Sequence, residues 1–89
     1  MYFVYVLRSD KDNSLYIGYT NDLKRRFAEH NNGKSKFTKH KTPYQLVYYE
    51  SYASISDAKY RESQLKKHSR AKTHLLKRIH NSLKQVRGD

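Results

Sequence analysis

The stretch SLYIGYTNDLKRRFAEH, residues 14–30, holds two residues that fit neither a plain strand nor a plain helix. Gly18 interrupts an aromatic strand pattern two residues after Tyr16, although glycine weakens strands. Arg26 falls on the side of the following helix that should meet an apolar core, where an unpaired charge is costly. Both features are explained if they belong to one site that holds a phosphate. A strand bend or a closely packed helix at Gly18 is the structural alternative.

The helix that carries Arg26 presents a second nitrogen-bearing side chain on the same edge. At about 100° per residue, Leu23, Phe27 and His30 fall in one sector with Arg26. His30 lies one turn after Arg26, so the two side chains could face the same anion. An ion pair between Arg26 and a carboxylate is also open, and His30 by itself is more typical of ordinary packing.

Glu62 is the acid that turns inward most clearly, because it shares a helix face with Ala58 and Leu65. Such a carboxylate has three uses: an ion pair with Arg26, an ion pair with Lys66 one turn on, or oxygen ligation of a divalent cation. Spacing does not rank these three. One carboxylate is a sparse metal site, but magnesium commonly keeps several waters and takes further ligands from a substrate phosphate. The histidines show no spacing typical of zinc.

These side chains must be positioned by short elements, which the residue pattern predicts in the order ββαβαα. β-Branched and aromatic runs mark the strands, and the first two strands form an antiparallel hairpin. Thr20 or Asn21 caps the first helix, Gly33 stops it, and Ser54 caps the second. The predicted strands cover residues 2–8, 14–20 and 44–52, and the predicted helices cover about 21–32, 54–68 and 70–86.

The hairpin turn sets which side chains share a face of the sheet. If Ser9 pairs with Ser14, then Tyr5 lies opposite Gly18, and the gap at Gly18 lies between two phenols where a phosphate could come close. Phe3, Tyr5, Leu7, Tyr16, Gly18 and Thr20 then share one face. Val4, Val6, Leu15 and Ile17 share the other, which we expect to meet the principal core.

Charge is the most informative part of the composition. The chain has 19 Lys and Arg against 8 Asp and Glu, a formal net charge of +11. An excess of this kind favours a polyanionic partner, although a solvated basic surface is the plain alternative. The loop after the first helix concentrates the charge in Lys34, Lys36, Lys39 and Lys41.

Length and composition also limit the class of protein. Eighty-nine residues allow one domain, which we assign to residues 1–85, with 86–89 as a frayed tail. The absence of cysteine excludes a disulfide framework and is compatible with a reducing compartment. The first apolar run is too short for a signal or a membrane span. We therefore expect a cytoplasmic protein with no membrane partner.

Taken in order, these residues resemble the GIY-YIG nuclease superfamily over nearly the whole chain. Tyr16-Ile17-Gly18 matches the second family tripeptide, and Phe3-Val4-Tyr5 stands at the first, keeping only its tyrosine. Arg26 has the spacing of the family's catalytic arginine, His30 stands one turn on, and Glu62 resembles the metal-binding glutamate. The compact form is similar to the single-domain branch related to the nuclease module of excision repair.

The resemblance implies a small three-stranded antiparallel sheet flanked by helices, an α/β fold of the α+β type. It also implies a metal-dependent endonuclease in which Glu62 holds one Mg²⁺ or Mn²⁺ ion and Arg26 clamps the phosphate. Tyr16 would act as general base, helped by nearby cations, while Tyr5 and His30 orient water or share the proton work. Asn81 is the candidate for a late site asparagine. Gly18, Lys34, Lys36, Lys39 and Lys41 would contact the nucleic acid backbone.

Three functions compete at this point. The first is an endonuclease that acts on DNA in preference to RNA, in repair or recombination. The second is a non-catalytic DNA- or RNA-binding module on the same scaffold, and the third is a small structural RNA-associated protein. A domain of this size could also need a homodimer or a protein partner for activity.

Overall fold

A computed structural model of the chain describes residues 1–84. Three strands form one antiparallel sheet in the order β2-β1-β3, with helices packed on both faces. The fold class and the order ββαβαα are therefore confirmed. The strands are β1 (Tyr2–Ser9), β2 (Leu15–Thr20) and β3 (Tyr44–Tyr52). The helices are α1 (Leu23–Asn31), α2 (Ile55–Lys67), α3 (Ser69–Arg78) and α4 (His80–Leu83), and Lys39–Lys41 form a 3₁₀ turn.

The predicted hairpin register is confirmed. The Ser9 amide donates to the Ser14 carbonyl at 2.8 Å and closes the turn. Tyr5 lies opposite Gly18 as a result, and Leu7 lies opposite Tyr16. The alternation of a strand then places the two tyrosines on one face.

The sheet separates two apolar clusters. The larger cluster lies on the predicted core face, where α2 and α3 cover the sheet, and it is built from Val4, Val6, Ile17, Ala58, Leu65, Leu75 and Ile79. The smaller cluster lies on the face with Tyr5, where Leu23 and Phe27 of α1 pack against it. The predicted site residues Tyr5 and Tyr16 thus belong to or pack against the smaller cluster, on the face that α1 covers.

The prediction of one continuous helix over 70–86 is wrong. It breaks at Ile79, whose φ of −104° and ψ of 24° end α3 and begin α4. The Arg8 guanidinium donates to the carbonyl of Leu83, and Arg8 is only 7% exposed. A buried guanidinium needs acceptors, and the free carbonyls at a helix end provide one. Arg8 precedes α3 by some sixty residues, so helical periodicity carried no sign of this contact.

The caps of α1 differ in one position from the prediction. Asp22, rather than Thr20 or Asn21, is the N-cap, and its carboxylate accepts from the Arg25 amide at 3.1 Å. Thr20 supports it, since its hydroxyl accepts from the Asp22 amide at 3.1 Å. Gly33 ends the helix with a φ of 74°, as expected of a left-handed residue after a helix.

Two further predictions concern the C-terminal tail and membrane-spanning helices. The tail predicted at 86–89 lies outside the described residues. No helix within residues 1–84 is both long enough and apolar enough to cross a membrane.

Candidate active site

Tyr5, Tyr16 and His30 form a compact ring cluster between the sheet and α1. The Tyr5 hydroxyl lies 2.9 Å from Nε2 of His30. The ring centroids of Tyr16 and His30 are 4.8 Å apart, and those of Tyr5 and Tyr16 are 6.3 Å apart. Three predicted site residues from two strands and a helix therefore meet.

Gly18 is required by the position of Tyr5. A Cβ atom at Gly18 would lie 2.5 Å from the Tyr5 hydroxyl oxygen and 3.1 Å from the Tyr16 ring. The missing side chain thus makes room for the Tyr5 phenol, which occupies the gap itself. Direct contact between Gly18 and nucleic acid stays a prediction.

His30 is fully buried and bonded at both ring nitrogens. Nδ1 lies 2.8 Å from the hydroxyl oxygen of Thr38, in the basic loop. Burial lowers the pKa of His30 to about 4, and the charge of Arg26 acts in the same direction. The ring is therefore neutral at neutral pH and carries one N–H. Either Tyr5 donates to Nε2 while Nδ1 donates to Thr38, or both bonds run the other way.

Tyr5 is held as a neutral phenol. It is 1% exposed, and burial raises its pKa to about 12, with a further contribution from the neighbouring Tyr16. Since both Tyr5 and His30 are buried, they support the site from the protein interior and do not face the solvent. Thr38 belongs to this support and was not predicted, because a threonine among lysines carries no spacing signal that pairs it with His30.

Arg26 finds its anion on its own helix. Its guanidinium lies 3.1 Å from the carboxylate of Glu29, one turn on. Arg26 reaches Glu29 because the two positions are i and i+3 on the same helix. Burial opposes the charged form, but the hydrogen bonds of Glu29 and Tyr5 outweigh it and raise the pKa of Arg26. The side chain is 32% exposed, so the cation remains accessible.

Glu62 pairs with Lys66, the second of its three predicted uses. The two charged groups are 3.2 Å apart, and the Glu62 side chain is 19% exposed. Lys66 Nζ also lies 5.7 Å from the centroid of the Tyr16 ring. The Glu62 charge contributes to the raised pKa of Tyr5, so it acts on the same cluster. Ring contacts therefore join Tyr5, Tyr16 and His30, and electrostatic interactions with Tyr5 link Arg26 and Glu62 to this cluster.

The family model of the GIY-YIG catalytic domain matches residues 1–82. The chain belongs to the GIY-YIG family.

Relatives of this GIY-YIG domain carry the designation UPF0213. This chain is 47% identical over 70 residues to UPF0213 protein SH2523 of Staphylococcus haemolyticus, and the match covers 78% of this chain and 84% of that protein. It is 44% identical over 75 residues to UPF0213 protein YazA of Bacillus subtilis, covering 83% and 75%. The solution NMR structure of UPF0213 protein BH0048 of Bacillus halodurans is 36% identical with a TM-score of 0.55, covering 89% of this chain and 85% of that one. Membership in the nuclease superfamily and the fold are thus established together.

The GIY-YIG domain offers few side-chain ligands for a single hard cation. Within residues 1–84 no three His, Cys, Asp or Glu side chains are placed to share a metal ion. Among the predicted site residues, Glu62 offers carboxylate oxygens, the ligand type that Mg²⁺ and Mn²⁺ prefer, and a small number of protein ligands is usual for Mg²⁺. Lys66 forms an ion pair with this carboxylate, and the Lys66 side chain is 45% exposed. The residues therefore fit one cation that keeps most of its waters.

The loop lysines of the GIY-YIG domain are not equivalent. Lys34, Lys36 and Lys39 are exposed. Lys41 instead lies 3.3 Å from the carboxylate of Asp12, across the hairpin turn. Three of the four predicted backbone contacts are thus cations without an ion pair within residues 1–84.

Asn81 is not joined to the other predicted site residues by a hydrogen bond within residues 1–84. It is exposed on α4. Its role in the site stays a prediction.

An open apolar cavity of about 540 Å³ lies beside the N-terminus of α1. None of the predicted catalytic residues lines it. Its walls are Phe3, Asn21, Asp22, Leu23, Lys24, Phe27, Leu46 and Tyr49.

Proposed function

We propose that this chain is a divalent-metal-dependent endonuclease that hydrolyses phosphodiester bonds in nucleic acid, DNA in preference to RNA. The observation that carries the proposal is that the charges of Arg26 and Glu62, together with the neighbouring Tyr16, act on the buried Tyr5 that lies against His30. The resemblance to the excision-repair module supports a place in repair or recombination. A cytoplasmic location agrees with this proposal.

The partly exposed groups would act on the substrate directly. Arg26 would bind the scissile phosphate, because its planar fork matches two phosphate oxygens and it carries its charge at all relevant pH values. Tyr16 would take a proton from the attacking water. Glu62 would hold Mg²⁺ or Mn²⁺, which neutralises a phosphate oxygen and stabilises the leaving alkoxide.

The buried groups would keep these side chains in place. Tyr5 contacts Arg26 and His30, and Thr38 fixes the His30 ring from the other side. A ring bonded at both nitrogens cannot turn without losing a hydrogen bond. His30 thus serves as a positioning residue for Tyr5 and, through it, for Arg26.

The test is cleavage of branched, nicked and single-stranded oligonucleotides with manganese. Glu62→Gln and Arg26→Ala should each lower the rate by roughly 100-fold or more, because each removes a charge that stabilises the transition state. Asp57→Asn on α2 and Arg25→Ala on α1 are matched controls, since both residues are exposed on the same helices. Thermal unfolding should show that all four variants fold. Equal rates for Glu62→Gln and Asp57→Asn would contradict the proposal.

The Glu62–Lys66 ion pair favours one second candidate, a non-catalytic DNA- or RNA-binding module. If the carboxylate stays paired with Lys66, Glu62 is not free to bind a metal ion. Clean protein would then bind nucleic acid with a steep salt dependence and cut none of the panel. Manganese-dependent cleavage that is lost in Glu62→Gln excludes this candidate.

A further inference from the structure

Phe37 is the most exposed large apolar residue among the described part of the chain. It is 80% exposed in the middle of the basic loop. A phenylalanine is usually buried, and a single exposed apolar ring by itself needs no explanation. The surroundings of Phe37 supply one.

The loop that presents Phe37 is anchored on both sides of it. Ser35 is 5% exposed and Thr38 is fully buried. The amides of Thr38 and Lys39 both donate to the Ser35 carbonyl, at 3.2 and 3.0 Å. The turn is therefore a built structure that holds the Phe37 ring outward.

The anchor also ties the ring to the active site. Thr38 follows Phe37 directly, and consecutive Cα atoms are about 3.8 Å apart. The Thr38 hydroxyl contacts His30, which contacts Tyr5. Phe37 is thus presented by the same turn that supports the catalytic cluster.

The charge around Phe37 indicates what kind of partner would meet it. Lys36 precedes it, Lys39 lies two residues on, and both are exposed. Residues 30–49 contain no Asp or Glu. Cations around an exposed aromatic ring are the pattern with which proteins hold single-stranded nucleic acid, since the cations follow phosphates and the ring stacks on a base.

We propose that Phe37 stacks on an unpaired nucleobase next to the phosphate at the active site. Bases inside a duplex are already stacked on each other and offer no free face, so the ring requires an unpaired base. The substrate class is then nucleic acid with single-stranded segments, such as flaps, gaps and branch points. This inference rests on the proposed function and specifies its substrate.

The chain contains no tryptophan, so Phe37→Trp introduces a single fluorescent reporter at the ring. It is titrated in EDTA, which prevents cleavage, with single-stranded DNA, single-stranded RNA and a blunt duplex of the same sequence. Tyr60→Trp is the matched control, because Tyr60 is 68% exposed on α2. We expect single strands to quench the emission of Phe37→Trp, while the duplex, and all ligands with Tyr60→Trp, leave the emission unchanged.

Binding of unmodified variants completes the test. Phe37→Ala should raise the Kd for single strands about 5- to 150-fold, which corresponds to the loss of one base–aromatic stack, and leave the Kd for duplex unchanged. Phe37→Tyr keeps a stacking ring and should restore single-strand binding. Tyr60→Ala should bind like the wild type.

Four outcomes overturn the inference, and they separate it from the proposed function. Equal single-strand binding by Phe37→Ala and wild type, in protein that cleaves, overturns the stacking role alone. Equal quenching by duplex and single strand overturns the requirement for an unpaired base. If the emission of Phe37→Trp changes with protein concentration in the absence of nucleic acid, the ring contacts a second copy of the chain instead of a base. A wild type that binds no nucleic acid overturns the proposed function as well.

Discussion

The side chains of the site divide by exposure into two groups with different expected mutational effects. Tyr5 and His30 are buried and hydrogen-bonded, so changing either should cost folding free energy first. Arg26 and Glu62 are partly exposed, and each forms an ion pair with a neighbour on its own helix. Surface pairs of this kind contribute little to stability, so changing either should affect the reaction more than the fold.

Gly18 offers a test of how tightly the two tyrosines are packed. The Cβ atom of Gly18→Ala would lie 2.5 Å from the buried Tyr5 hydroxyl oxygen, so the ring must shift. We expect a loss of about 1–3 kcal/mol in the free energy of unfolding, as for other overpacked sites, and a larger fall in cleavage rate than this loss explains. Urea denaturation and manganese-dependent cleavage measure the two effects.

Gly33→Ala is the control for Gly18→Ala. Gly33 has a φ of 74°, so alanine there costs about 1–2 kcal/mol of backbone strain. It should leave the Tyr5 ring in place and keep the cleavage rate of the folded protein. Equal rate losses in the two variants would show that Gly18 acts through general stability.

His30 makes stability depend on pH in a defined window. Its pKa falls from 6.5 in the unfolded chain to about 4 in the folded one. Between these values the unfolded state binds a proton that the folded state does not, so the free energy of unfolding decreases as the pH falls. The total loss is of order 3 kcal/mol, complete below about pH 4, and His30 adds no pH dependence above its unfolded pKa.

Urea denaturation at several pH values measures this effect. His30→Gln should remove the slope between pH 6.5 and about 5, although it is less stable than wild type at neutral pH. Glu50 does not interfere in this window. Burial opposes ionisation there, but the Arg61 bond outweighs it and lowers the pKa of Glu50 below 4.5, so its stabilisation is lost only at lower pH. An unchanged slope in His30→Gln would contradict a buried neutral ring.

Among the elements, α1 does the most to build the site, because it carries Arg26 and His30 and packs on the smaller cluster through Leu23 and Phe27. Helix α2 supplies Glu62 and Lys66, and its Ala58 and Leu65 are fully buried in the larger cluster. The site therefore depends on two helices whose apolar contacts lie in different cores. Loosening one helix should disturb the site without dismantling both cores.

The N-cap of α1 tests this dependence. Asp22→Ala removes the acceptor of the Arg25 amide and should cost about 1 kcal/mol of unfolding free energy. Cleavage should fall as well, since the first turn leads directly to Arg26. Asp22→Asn and Asp22→Ser keep a capping oxygen and should retain most of both. Thermal unfolding and cleavage are measured in parallel, and an alanine variant as active as Asp22→Asn would separate the cap from the site.

Element boundaries were predictable where they depend on local chemistry. Gly33, with a positive φ, follows the C-terminus of α1 and terminates the helix, and strand alternation set the hairpin register. The break at Ile79 was not predictable, because Ala71, Leu75, Ile79 and Leu83 keep a helical spacing across it. All four contact the larger cluster, so the apolar pattern is the same on both sides of the break. The hydrogen bond from Arg8 to Leu83, just beyond the break, joins residues 75 positions apart.

For the molecule as a whole, the net charge of +11 predicts binding to nucleic acid that weakens steeply with salt. Lys36→Gln should reduce the slope of log Kd against log salt by about 0.7 on single strands, the share of one phosphate contact. Lys41→Gln should reduce it less, because Lys41 already pairs with Asp12. Lys77→Gln on α3, which packs on the opposite sheet face from α1, is the control. Equal slope changes in all three variants would indicate a diffuse charge effect instead of a binding loop.

The sequence by itself determined the family, the sheet and the face on which Tyr5, Tyr16 and Gly18 meet, because these follow from local periodicity and the spacing of one hairpin. It also indicated that Arg26 needs an anion and that Glu62 turns inward. The tertiary structure decided which partners they take: Glu29 for Arg26, Lys66 for Glu62 and Thr38 for His30. It alone showed that Phe37 faces outward while its neighbours Ser35 and Thr38 are buried. Such choices depend on side-chain conformation and on distances between separate elements, which residue types and spacing do not specify.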